Sequence, residues 1–380
     1  MSEKIIIGYF GDGVWAHNAF RKIVNDAKFK IAFVVLRYDS SDEVLATLAK
    51  EQNIPILKEK NINNPEFLDR LKDYNCDIFV SMSFDQIFKS EIINIPPLKT
   101  INCHAGKLPF YRGRNILNWA LINDEKDFGI TVHYMDTGID TGDIILQKTY
   151  PISDNDNYAS LLETAHIECA SVLYEALCEI YSGTAKRTKQ EGSGFYCSKR
   201  EKGDEIIDWN STSREIFNFV RAISPPAVGA KSYINGKEIQ INKAVMIENA
   251  PIYKCKIGAV VGLGADYFVV KTKNSTIKIT DFIYNGKIKI GDILLKGGGI
   301  VFKSLILNDI LANLIEHDAV MGDNCHISTA SVINGDAVVG DGVFFGSNAT
   351  TKNGVIIEQN SLIPMASSIK LGGGSEILEF

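Results

Sequence analysis

Apolar runs and amphipathic stretches alternate through the first 150 residues. Ile5–Phe10, Phe29–Leu36, Asp77–Met82 and Thr100–Cys103 are near-continuous apolar runs and read as strands. Trp15–Asp26, Glu43–Gln52 and Pro65–Tyr74 lie between them and read as helices. Such strands separated by helices predict a parallel sheet covered on both faces. Phe128–Met135 and Ile144–Tyr150 read as two more strands. Tyr158–Tyr181 reads as one long helix stopped at Ser182-Gly183.

The pattern then changes. Ser182–Ser198 is rich in Gly, Thr, Lys and Gln and reads as a linker. Ser213–Ile223 is helical and is stopped by Ser224-Pro225-Pro226. Five or six short strands follow between Ala230 and Leu295, with Asn-Gly turns at Asn235-Gly236 and Asn285-Gly286, which predicts a small barrel.

The tail repeats every six residues. From 315 to 369, nine of ten positions in one register are large and apolar, with Thr351 the exception. Two residues before each, nine of ten are small or valine, with Asn313 the exception. This period predicts a β-helix with large residues inside and small ones at the corners. Three hexapeptides make one triangular turn in the left-handed form, so ten give a short solenoid.

Composition narrows the class. The 380 residues are 45% hydrophobic and 23% charged, enough for two or three domains and too apolar for disorder. No apolar run approaches the roughly 20 residues that span a bilayer. The opening Met1-Ser2-Glu3-Lys4 lacks a secretory pattern, so a cytoplasmic enzyme is expected. Seven cysteines without a CxxC pair point to reduced thiols rather than disulfides or a metal site. The net charge of −6 divides into −5 for residues 1–199, +5 for 200–300 and −6 for 301–380. The basic middle suits an anionic ligand or a solvated lysine-rich surface. Gly8-Tyr9-Phe10-Gly11-Asp12-Gly13 opens the first helix. Its spacing is not GxGxxG, which favours a tight turn over a phosphate cradle.

The densest polar segment runs from Asn102 to Arg114, at the carboxyl end of a predicted buried strand, where open α/β sheets bind ligands. Asn102 and His104, two apart on extended chain, share a face. Asp136-Thr137-Gly138-Ile139-Asp140 follows at another strand end. An amide donor for an oxyanion, a histidine and a carboxylate can together run acyl transfer. His104 is also readable as a structural histidine. His17, His133 and His166 read as structural.

Asn102-x-His104, Leu108-Pro109, Tyr111-Arg112-Gly113, Asn118-Trp119 and Asp136-x-Gly138-x-Asp140-Thr141-Gly142-Asp143 resemble the signature of the formyltetrahydrofolate-dependent formyltransferases. Phe195-Tyr196, Ile207-Asp208-Trp209, Val220-Arg221-Ala222 and Pro226-x-x-Gly229-Ala230 extend the resemblance to about residue 300. It implies formyl transfer from N10-formyltetrahydrofolate to an amine. Asn102, His104 and Asp140 would be the catalytic trio. Ser83, Phe84, Asp85 and Asp136, Thr137, Gly138, Ile139 would hold the folate, and Arg112 and Arg114 the acceptor. The one departure, Ala105-Gly106 after the histidine, touches only local loop shape.

Arg114 after the glycine is similar to the aminoarabinose enzyme. The acidic Tyr38–Glu43 stands where the tRNA branch carries a basic loop, and the hexapeptide tail is foreign to that branch. The expected acceptor is therefore a nucleotide-linked aminosugar, with no nucleic-acid partner and no membrane insertion. Methionyl-tRNA formylation is the alternative, and a non-catalytic folate or sugar sensor is a further one.

The expected fold is α/β. A Rossmann-like formyltransferase domain would span 1–190, an OB-like barrel 200–300 and a left-handed β-helix 308–380, in a homo-oligomer. Glu316-His317-Asp318 is similar to the general-base stretch of sugar acetyltransferases. Glu316 and His317 would then form a second site using acetyl-CoA. The preferred reading is a scaffold coil.

Overall fold

Seven strands form the first sheet, in the spatial order β3-β2-β1-β4-β5-β7-β8. β1 (Ile5–Gly11), β2 (Phe29–Leu36), β3 (Ile56–Lys58), β4 (Ile78–Met82) and β5 (Thr100–His104) run parallel. α1 (Gly13–Val24), α2 (Glu43–Glu51), α3 (Pro65–Lys72) and the short α4 (Ser90–Ile93) connect them. Phe10, Phe33, Phe79 and Phe88 interlock edge to face, with Phe10 centroids 5.0–5.8 Å from the other three. These buried rings explain the apolar runs of the sequence. Strand order reverses at β1 and β4, so a crevice opens beyond their carboxyl ends.

The computed structural model describes residues 4–40, 42–296, 306–307, 314–315, 319–322, 324–328 and 330–369. It divides into two compact units, Met1–Asp204 with Arg221–Val228, and Glu205–Val220 with Gly229–Phe380. Among the described residues, no helix is long and apolar enough to cross a membrane.

The sheet departs from the parallel expectation at one edge. After β5 come β6 (Arg112–Gly113), α5 (Ile116–Ile122), β7 (Asp127–Tyr134), β8 (Ile144–Pro151) and α6 (Tyr158–Ser182). β7 is antiparallel to both β5 and β8. The segment 135–143 between β7 and β8 is shorter than the dozen or so residues a parallel crossover needs. α6 begins with a capping box, Asn157 with Ser160, and ends at Gly183 in the left-handed region, φ 70°. The stretch read as a linker is not loose. β9 (Tyr196–Cys197) within it pairs in parallel with β6.

α7 (Ser213–Ile223) begins in the second unit and precedes its six strands: β10 (Ala230–Ile234), β11 (Lys237–Met246), β12 (Val260–Leu263), β13 (Phe268–Lys271), β14 (Thr276–Tyr284) and β15 (Leu294–Leu295). They form one antiparallel sheet in the order β12-β13-β14-β11-β10-β15. Asn235 and Gly236, φ 50° and 74°, make a two-residue hairpin. Asn285-Gly286 does not: the next described strand, β15, pairs with β10 instead of returning on β14.

Two-residue strands begin at 314, 320, 326 and every sixth residue to 368. Each of those from 314 to 350 pairs in parallel with the strand 18 residues later, giving three parallel sheets. The second residue of each points inward. Ile327, Ile333, Val339 and Phe345 are at most 1% exposed. The first residue faces outward where Ile356 and Leu362 are 76% and 67% exposed. The small residues Cys325, Ser331, Ala337 and Ala349 are buried as expected. The conformational demand falls one place earlier. Asn324, Ala330, Asp336, Gly342, Asn348, Gly354, Asn360 and Ala366 all have φ between 58° and 73°. Asn, Asp and Gly tolerate that region best, which explains most of this second six-residue series.

Candidate active site

Asn102 and His104 lie at the carboxyl end of β5, next to the strand-order reversal. Asp140 lies on the β7–β8 loop in the left-handed region, φ 56°. The structure joins these residues through a fourth, His133. In the antiparallel register Asn102 stands directly opposite His133. Asn102 Nδ2 is 3.3 Å from His133 Nε2. His133 Nε2 is 3.5 Å from Asp140 Oδ1, and His104 Nδ1 is 3.6 Å from Asp140 Oδ2. Gly113 N–H donates to Asp140 Oδ2 at 3.0 Å.

This arrangement fixes charge. Burial pushes the Asp140 carboxyl up, but His133, His104 and the Gly113 N–H outweigh it and hold it at about 2. The carboxylate is ionised at neutral pH. Burial pushes the His104 pKa down, and Asp140 with the Tyr111 carbonyl only partly restores it. Its Nε2–H donates to that carbonyl at 2.7 Å, which leaves Nδ1 toward the carboxylate. Gly106 is required beside the ring, because a Cβ there would overlap His104 Nε2 and the Tyr111 carbonyl.

The preceding loop is a closed turn. Asp136 Oδ1 accepts from Gly138 N–H at 3.0 Å and from Thr141 Oγ1 at 2.6 Å. Thr137 and Ile139 are exposed on it. At the end of β4, Ser83 is exposed with φ 58°. Phe84 packs edge-on against Phe10 at 5.6 Å. Asp85 lies 3.5 Å from Arg37.

A cavity of about 490 Å³ adjoins the site. Ser83, His104 and Arg114 line it, with Trp15, Tyr158 and Lys199. Arg112 is not among its lining residues. Its guanidinium donates to Gln190 Oε1 at 3.1 and 2.7 Å. Gln190 Nε2 donates in turn to the carbonyls of Asp140 and Gly142, at 2.9 and 2.8 Å. One side chain from the supposed linker thus ties Arg112 to the Asp140 loop. Glu316 and His317 lie outside the described residues. No group of three His, Cys, Asp or Glu that could hold a metal occurs among the described residues.

Sequence reasoning missed two members. His133 looked like an ordinary alternating strand residue, and only the antiparallel register puts it across from Asn102. Gln190 sits in a polar stretch with no local pattern, so nothing in the sequence marks it.

Residues 4–177 match the model of the formyl transferase family, and residues 199–292 match its C-terminal domain. The methionyl-tRNA formyltransferase of Pelotomaculum thermopropionicum is 34% identical over 64% of this chain and 77% of its own. That of Syntrophus aciditrophicus is 33% identical over 65% and 82%. Among solved structures, WlaRD, a sugar 3N-formyl transferase crystallised with dTDP and 5-N-formyl-THF, is 26% identical. The match covers 75% of this chain and all of WlaRD, with a TM-score of 0.57. On these matches the chain belongs to the formyl transferase family.

Proposed function

We propose that the protein transfers the formyl group of N10-formyltetrahydrofolate to the amine of a nucleotide-linked aminodeoxysugar, such as a dTDP-amino-dideoxysugar made for surface polysaccharide. The observation that carries formyl transfer is the ionised Asp140 held between two histidines beside the Asn102 amide.

The folate is assigned to Asp136–Ile139 and Ser83–Asp85. Exposed Ile139 and half-buried Phe84 offer apolar surface, and the Asp136 turn offers backbone groups, so the residues present fit a flat heterocycle. Bound there, the donor supplies an activated formyl carbon. Asn102 presents an N–H to the formyl oxygen as negative charge develops on it. The amine would bond to the formyl carbon as the N10–formyl bond breaks, and ionised Asp140 would guide the proton that the amine sheds, which ends on N10 of the departing tetrahydrofolate. His104 lies beside the developing charge, which favours its protonated form and offsets the burial that otherwise keeps it neutral.

Two features support a sugar acceptor. WlaRD matches over its whole length. After β2, Arg37 is engaged by Asp12, Asp39 and Asp85, and Asp42 caps α2. A nucleic-acid backbone would meet carboxylates there. The second reading, methionyl-tRNA formylation, is favoured by the 34% identity to such enzymes. Tetrahydrofolate release with dTDP-aminosugars and with charged initiator tRNA separates the two. Faster release with a sugar is expected, and equal or faster release with tRNA overturns it.

We read three parts, 1–190, 200–300 and 308–380. The six-stranded antiparallel sheet supports an OB-like barrel, and the 18-residue pairing supports a left-handed β-helix. The outward columns Val320, Val338, Ile356 and Phe344, Leu362 support a homo-oligomer packed through the tail.

A further inference from the structure

We infer that Arg114 and Lys199 form a two-cation clamp for the phosphate groups of the acceptor, on the rim of the cavity that His104 also lines. The clamp rests on the nucleotide-sugar reading for the source of those phosphates.

The glycine turn after β1, the obvious place for a phosphate in this topology, is taken. Asp42 Oδ2 accepts from Gly13 N–H, the first residue of α1, at 2.7 Å. The same carboxylate lies 2.7 Å from His17 Nε2, and both side chains are nearly buried. The chain thus places its own anion at the positive end of α1. A second anion there would face Asp42, and Asp12, Asp39 and Asp85 gather around Arg37 close by.

The cavity wall is the opposite case. None of its lining residues is acidic, although the whole chain carries net charge −6. Arg114 and Lys199 are exposed side chains with no ion-pair or hydrogen-bond partner among the described residues. Arg112 and Arg37, by contrast, are held by side chains of the chain itself. The backbone brings the two free cations together. Arg114 N–H donates to the Cys197 carbonyl at 3.1 Å, extending the β6–β9 pairing. Arg200 N–H donates to Asn115 Oδ1 at 2.9 Å. Trp119 Nε1 donates to the Ser198 carbonyl at 2.9 Å. Three hydrogen bonds therefore hold the two segments side by side, so the backbone that carries both cations is set before the ligand arrives.

The rest of the wall suits what lies between phosphate and amine. Trp15, Met82, Leu117 and Leu162 are apolar, and Tyr158 brings a hydroxyl with no partner among the described residues. That surface fits a sugar poor in hydroxyls. A ligand held by its phosphates at Arg114 and Lys199 can place a sugar amine toward His104 and Asp140.

The test is calorimetric titration of dTDP, UDP and inorganic pyrophosphate into the full chain, into Arg114→Ala, into Lys199→Ala and into the double variant. Folinic acid titration reports whether the folate site is intact. Each single change should weaken the phosphate probes about tenfold and raise the acceptor KM similarly, with kcat within about threefold. Folinic acid binding should not change. The clamp is overturned if the double variant binds the probes as the wild type does, or if the wild type binds none of them. Loss of pyrophosphate binding in the variants, with no nucleotide sugar formylated by the wild type, keeps the clamp and removes the nucleotide-sugar reading. A nucleotide sugar formylated with unchanged KM by the double variant does the reverse.

Discussion

Asn102 and His133 face each other across antiparallel strands, amide nitrogen to ring nitrogen at 3.3 Å. The far nitrogen of His133, Nδ1, donates to the Tyr134 carbonyl at 2.8 Å. Nε2 thus faces both the Asn102 NH2 group and Asp140 Oδ1. With a proton it donates to the carboxylate and helps hold it at about 2. Without one it accepts one amide hydrogen from Asn102 and leaves the second free for the formyl oxygen. His133 thus acts as a positioning residue for the amide.

Asn102→Ala should lower kcat by about 10²–10³, the cost of one oxyanion donor. His133→Phe should lower kcat about tenfold through disorder of the amide, with the acceptor KM unchanged. Steady-state kinetics at saturating donor would show it. A His133→Phe enzyme with wild-type kcat would remove His133 from the site.

The charge pattern predicts an acid-sensitive fold. Asp140, held at about 2 against an ordinary 3.8, contributes stability that is complete above 3.8 and is lost as pH falls through about 2. His104 acts in the same sense at higher pH. Its buried ring binds a proton less readily than the unfolded chain does, so stability falls as pH drops below 6.5. The urea midpoint of the wild type should decline from pH 7 to pH 5, and His104→Gln should flatten that decline. Parallel pH profiles for the two proteins would contradict it.

Gln190→Ala should lower kcat about tenfold, because it frees the Asp140 loop and Arg112 together while leaving the trio in place. Gln190→Glu should fare no better, since a carboxylate would face the carbonyls of Asp140 and Gly142. Equal kcat for Gln190→Ala and wild type would make the latch irrelevant to turnover.

Charging the outward column of the tail, as in Val338→Glu with Ile356→Glu, should change the oligomeric state and leave formyl transfer intact. These side chains are exposed, 39% and 76%, so the substitutions spare the tail core. Light scattering after size exclusion reads the mass. An unchanged mass would show that this face is not the contact.

Much of this was legible from periodicity. A spacing of two placed Asn102 and His104 on one face, and a spacing of six picked out Ile327, Ile333 and Val339 as interior. What stayed hidden depends on pairing between distant segments. The β5–β7 register brings His133 to the site, and β9 on β6 brings Lys199 beside Arg114. Asp42 filling the turn at Gly13 joins residues 29 apart through one hydrogen bond. The left-handed residues of the tail were readable in principle, as Asn324, Asp336, Asn348 and Asn360 recur in register. The larger apolar signal beside them hid this second six-residue series.

The 18-residue pairing of the tail makes its length a quantised quantity. A deletion of one residue inside a coil would turn every following interior side chain outward, because inward and outward positions alternate along each two-residue strand. A deletion of six would keep the interior sealed but pass each later strand to the adjoining sheet, scattering the columns that contain Val338 and Phe344 across other faces. Only a change of 18 preserves both the sealed interior and the alignment of the outer faces. The tail can therefore lengthen or shorten by whole turns alone if its surface is to be kept.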